Sequence, residues 1–196
     1  MSAAPQEKQW LDWIASFRTT PHAATIPQEA DQFLTDFERR LRERPRVSAG
    51  DRYTVSAPFQ GSIVDLLTRR GIAVECPVAS VPVPQSRDHC ADLSFHHEGT
   101  RWIVEIKTDL SFNSLGAAVM GAWLFKERHP DARFVVVSLY AKSRGMQPGH
   151  LLEPFRSRDL VDDFIVVSVN SPRARWNERF AEGLKMLTAQ LPGPVR

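Results

Sequence analysis

Residues 90–110 read CADLSFHHEGTRWIVEIKTDL, and the fold turns on how this stretch is understood. Two segments with the apolar spacing of strands, "CADLSFHH" and "RWIVEIKTDL", flank the turn-like "HEG", so the pattern predicts a β-hairpin. Yet Asp92, Glu105 and Lys107 stand in its middle, where burial without partners is costly. In an extended strand, residues two apart point the same way. Trp102, Val104, Ile106 and Leu110 are therefore expected on a core face, with Arg101, Glu105, Lys107 and Asp109 on the other. Once the hairpin closes, Asp92 lies on the neighbouring strand within reach of Glu105, and two carboxylates converge with a lysine.

Outward from the hairpin, the chain alternates helical and strand-like elements. Upstream, Trp10, Trp13, Ile14 and Phe17 share one helical face and Phe33, Phe37 and Leu41 another, with "RTTPHAATIP" as the loop between them. A third helix through "SIVDLLTRR" is expected to stop at Gly71, followed by a first strand, "IAVECPV". Downstream, "NSLGAAVMGAWLFKERHP" reads as a helix capped by Asn113 or Ser114, and "RFVVVSLYA" as a strand covered on both faces. A further strand, "DFIVVSVN", leads to a closing helix striped by Trp176, Phe180, Leu184 and Leu187. The expected fold class is α/β: a mixed sheet built from a helix, three strands, a helix and a strand, with helices on both faces. A single domain is expected, with a helical addition at 1–56, a core at 57–170 and a C-terminal helix at 171–196.

Bulk properties narrow the class. The 196 residues are 42% hydrophobic and carry a net charge of +2, enough for a sizeable core and only weakly basic. The apolar run "LGAAVMGAWLF" falls short of the roughly 18–20 residues a membrane span requires. No apolar signal core opens the chain, so a cytoplasmic protein is expected. Cys76 and Cys90 form no CxxC pair, which argues against structural zinc. The serine-hydrolase elbow, the phosphate-binding loop of NTPases and the HExxH zinc motif are all missing. His96 and His97 are adjacent in a strand and point apart, so they do not make a metal pair. Cys90 reads as core and Asp109 as a solvated strand end.

Hard carboxylate oxygens are what Mg²⁺ prefers, and a lysine ammonium beside them can stabilise oxyanions. Asp92 followed by Glu105-Ile106-Lys107, within this order of elements, resembles the PD-(D/E)xK nuclease superfamily, which includes restriction-endonuclease-like and Holliday-junction-resolvase-like enzymes. The resemblance covers roughly residues 57–142 and includes "RRGIAVECPVAS". It implies that Asp92, Glu105 and the Ile106 carbonyl ligate Mg²⁺, which Mn²⁺ can replace, and that Lys107 is catalytic. Two positions depart from the family pattern. Ala91 replaces the proline before the aspartate, and where a helical acid is common the chain has Gln60 and Ser62, with Asp65 a turn later.

The resemblance implies a metal-dependent DNA endonuclease of restriction or defence type acting on duplex DNA. A Holliday-junction or repair nuclease, and a non-catalytic nucleic-acid-binding domain of the same fold, are the alternatives. Arg144, Arg156 and Arg158, in the loop after "RFVVVSLYA", are expected to contact DNA phosphates. A homodimer is expected, with Trp10, Trp13, Phe33 and Phe37 offering surface for it.

Overall fold

The computed structural model describes residues 6–43, 55–76, 91–141, 155, 159–168 and 178–195. The hairpin forms as expected: β1 (Leu93–His97) pairs antiparallel with β2 (Thr100–Leu110), with Leu93 opposite Val104 and His97 opposite Thr100. Its turn is the dipeptide Glu98-Gly99, and both residues have positive φ, 49° and 78°. That left-handed pair is the geometry a two-residue turn needs to follow the twist of its strands.

From β2 the chain enters α4 (Phe112–Arg128) and returns in β3 (Arg133–Ala141), which pairs parallel with β2. A fourth strand, β4 (Asp163–Ser168), pairs parallel with β3, so the sheet runs β1-β2-β3-β4. The helix α4 begins two or three residues earlier than a cap at Asn113 or Ser114 would place it. Ser111 is the N-cap: its hydroxyl accepts from the Ser114 amide, and the Ser114 hydroxyl accepts from the Ser111 amide. This reciprocal box satisfies two otherwise orphaned donors, which Asn113 inside the first turn cannot do.

Helices cover both faces of the sheet. On one side lie α1 (Gln6–Arg18), α2 (Gln28–Glu43), α3 (Ser56–Arg69) and α5 (Glu178–Gln190). Their apolar stripes merge with Trp102, Val104, Ile106, Val135, Val137 and Ile165 in one cluster. On the other side Leu115, Ala118, Ala122 and Phe125 of α4 pack on Ile103, Phe134, Val136 and Phe164. Leu110 corrects the expected alternation, since it joins Ile103 and α4 rather than Val104. The strand ends there and the chain turns at once into the α4 cap.

Two further expectations change. In place of a full strand at "IAVECPV", the described part shows one antiparallel bridge, Glu75 to Ser94, closed by N–H···O bonds of 2.8 and 3.0 Å. The aromatic residues expected to serve a dimer are consumed inside the chain. Trp13 packs on Phe180 with ring centroids 4.4 Å apart, Trp10 packs on Phe37, and Trp10, Trp13, Phe33 and Phe37 are all buried. The loop between α1 and α2 contains a 3₁₀ turn, Pro21–Thr25.

The end of α3 is fixed from two directions. Gly71, at φ 77°, lets the amides of Gly71 and Ile72 close on Thr68 and Leu67 carbonyls, the arrangement in which a left-handed glycine stops a helix. Arg70 is buried beside it and donates to both carboxylate oxygens of Glu29 on α2 and to the Thr188, Leu191 and Pro192 carbonyls. Among the described residues, no helix is long and apolar enough to cross a membrane.

Candidate metal centre

The β1–β2 register puts Asp92, the residue just before β1, opposite Glu105. Its carboxylate reaches across and accepts the Ile106 backbone N–H at 2.6 Å. Glu105 points to the α4 side of the sheet and is only 3% exposed. One of its oxygens, Oε1, is held by the Lys107 ammonium. The other, Oε2, is buried without a hydrogen-bond partner.

Burial pushes the Glu105 pKa up; the Lys107 charge opposes that shift, and the Asp92 charge adds to it. A buried carboxylate with one bare oxygen is a costly arrangement, several kcal/mol where the charge is retained. Such an acceptor is satisfied by a proton or by a cation. The donors gathered here are carboxylate oxygens, the ligand type of Mg²⁺ and Mn²⁺, and Mg²⁺ is commonly held by one or two carboxylates. The residues therefore fit a hard divalent ion bound by Asp92 and Glu105. Among the described residues, no group of three or more His, Cys, Asp or Glu side chains is gathered for a metal.

The three accessory positions on α3 separate. Gln60 reaches the site, donating its amide to the Asp92 carbonyl at 3.2 Å. Ser62 is buried and donates back to Pro58 at 2.8 Å within its own helix. Asp65 turns to α2, where Arg40 grips both its oxygens at 2.8 and 2.9 Å. That grip is the main cause of its lowered pKa. Arg39, Arg40 and Arg42 of α2 are likewise paired with acids of α2 and α3.

Arg144, Arg156 and Arg158 lie outside the described residues, as does Cys90. One neighbour escaped the sequence reading: Ser138 of β3, which sits opposite Lys107 and is buried. A serine interrupting the apolar run "FVVVSLY" was its signal. Its hydroxyl donates to the Tyr140 carbonyl at 3.1 Å.

No protein-family profile and no curated protein sequence matches the chain. Similarity appears among solved structures. One is a type III CRISPR defence DNA nuclease activated by cyclic oligoadenylate, at 15% identity and a TM-score of 0.40, covering 99% of this chain and 28% of that one. Another is protein VC1899 from Vibrio cholerae, at 12% identity and a TM-score of 0.46, covering 97% of this chain and 57% of that one. A third is a chain of the BbvCI A2B2 tetramer, at 10% identity and a TM-score of 0.43, covering 97% and 88%. The chain thus spans well under two thirds of the first two. With these TM-scores all below one half, what the chain does has to be read from its own side chains.

Proposed function

We propose that the chain is a metal-dependent DNA endonuclease that hydrolyses phosphodiester bonds in duplex DNA, in a restriction or defence role. The observation that carries this reading is the bare, buried Oε2 of Glu105, set opposite Asp92 and two residues from a lysine. Asp92 and Glu105 would hold Mg²⁺ or Mn²⁺. A bound divalent ion supplies a more acidic water and offsets charge developing on the phosphate.

The remaining work belongs to the protein. The Ile106 N–H fixes the Asp92 carboxylate, and the Gln60 amide fixes the Asp92 main chain. With the cation bound, the Lys107 ammonium no longer has to serve Glu105 alone. It can then donate to a phosphate oxygen or orient the attacking water. Two strands cut at once need two such centres, which is most simply met by a twofold pair of chains.

Cleavage of plasmid, forked and four-way-junction DNA with Mg²⁺ tests the proposal. Nicked and linear plasmid should appear with the wild type and not with Lys107→Ala, which keeps its fold. Preferential cutting of the four-way junction would move the reading to a junction or repair nuclease. If no substrate is cut and neither Mg²⁺ nor Mn²⁺ raises the melting temperature, the charges are a structural network and the reading fails.

A further inference from the structure

The arginines of α1, α2 and α3 are each paired with a carboxylate. Arg101, at the start of β2, is not. Among the described residues its one side-chain partner is His129, the C-cap of α4, with Nη1 3.5 Å from Nε2. Arg128, exposed in the last turn of α4, acts on the same imidazole. Burial first, and then the charges of Arg101 and Arg128, push the His129 pKa down, with no acid close enough to counter them. His96, also exposed, pairs with Arg101 across the hairpin and shares its face. Two cations and two imidazoles thus meet at the end of the sheet, and no described carboxylate is bonded to either arginine.

The cluster and Glu105 share one face of the sheet. Arg101 precedes Glu105 by four residues on β2, and Ile103 between them packs against α4. At about 3.3 Å per residue the two lie about 13 Å apart along the strand. Each strand of duplex DNA carries one phosphate per about 3.4 Å of rise. A strand that follows β2 with its scissile phosphate at Glu105 therefore brings another phosphate to Arg101 about four nucleotides away.

We propose that Arg101, Arg128 and His129 form a subsite for one backbone phosphate of DNA. Like charges brought together repel, and an oxyanion between them offsets that repulsion. The Arg101 guanidinium has five N–H groups and directs one at His129, which leaves a fork of donors for phosphate oxygens. The distance to the cut rests on the nuclease reading. The phosphate contact itself does not, because none of its groups belongs to the centre at Glu105.

Duplex binding titrated at several salt concentrations, in a Lys107→Ala parent without metal so that no cutting intervenes, provides the test. Adding Arg101→Gln and Arg128→Gln together should flatten the slope of log affinity against log salt by about 0.9, the share of one phosphate. Arg101→Lys, which keeps the charge, should keep the slope. Cations at a helix C-terminus also serve its dipole. A double variant that melts lower but binds DNA with the parent's slope would show that role alone and overturn the proposal. Stabilisation by inorganic phosphate that the double variant loses, with the DNA slope unchanged, would assign the cluster to a free phosphate compound and overturn it too, as would a parent that does not bind DNA. A chain that shows the loss of slope yet cuts no DNA in its wild-type form keeps the subsite and loses the nuclease reading.

Discussion

The backbone amide of Ile106 donates to the carboxylate of Asp92 at 2.6 Å, so one side chain serves both the fold and the candidate metal centre. The two duties separate by substitution. Asp92→Asn keeps an acceptor for the amide and removes the charge that opposes Glu105. It should lose cleavage and metal binding while melting at or above the wild-type temperature without metal. Asp92→Ala leaves a part-buried N–H unpaired, a loss of about 1–3 kcal/mol. Equal melting of the two variants would show that the bond contributes nothing.

Glu105 gives a pH dependence of definite sign. Its pKa is raised in the fold, chiefly by burial, so the folded chain holds the Glu105 proton more tightly than the unfolded chain does. That contribution is fully present below the ordinary glutamate pKa and is lost as pH rises through the raised value. At neutral pH and above, Glu105→Gln should therefore be more stable than wild type without metal. It should also fail to gain stability from Mg²⁺ or Mn²⁺. Thermal melts at pH 4 to 8 measure both, and a Gln variant less stable at pH 8 would show that the Lys107 pair outweighs burial.

Much of this site was legible because strand periodicity is a local property. A turn of the "HEG" kind fixes the register, register fixes which residues face each other, and Asp92 must then meet Glu105. What periodicity does not carry is the fate of a charge once a neighbouring helix arrives. Asp65 and Gln60 are both polar positions on α3, and only the docking of α2 decides that Arg40 claims Asp65 while Gln60 turns to Asp92. The buried Trp10, Trp13, Phe33 and Phe37 show the same limit. Their stripes announced an apolar contact, but the partners come from other elements: Trp13 meets Phe180 of α5, while Phe33 and Phe37 meet Phe59 of α3.

The Arg40 grip makes a prediction about what Asp65 is not. Asp65→Ala should leave Mg²⁺-dependent cleavage within about twofold of wild type and cost at most about 1 kcal/mol, the scale of a partly exposed ion pair. The lowered Asp65 pKa means that this contribution exists above the ordinary aspartate value and vanishes as pH falls through the lowered one. The two proteins should therefore converge in stability in acid. A collapse of cleavage would make Asp65 part of the centre.

Arg144, Arg156 and Arg158 are tested through salt. If each neutralises one phosphate, replacing all three by glutamine should reduce the slope of log affinity against log salt by about 2.7, at about 0.9 per duplex contact. Binding titrations of Lys107→Ala on duplex DNA at several salt concentrations supply the slope without cleavage. An unaltered slope would place the DNA on another surface.

Two glycines on helices should respond oppositely to the same substitution. At Gly183 of α5 an added Cβ would come within 1.9 Å of the Val167 carbonyl oxygen and 2.6 Å of its carbon, both rigid backbone atoms of β4. Alanine there must lift α5 off the sheet and disturb the packing of Phe180, Leu184 and Leu187. The expected loss is about 1–3 kcal/mol or more from overpacking, beyond the roughly 1 kcal/mol that alanine gains in helix propensity. At Gly116 the space is open, so alanine should collect only the propensity gain. Urea midpoints of the two variants should therefore move in opposite directions at unchanged slope. A Gly183→Ala protein as stable as wild type would mean that α5 does not lie this close to β4.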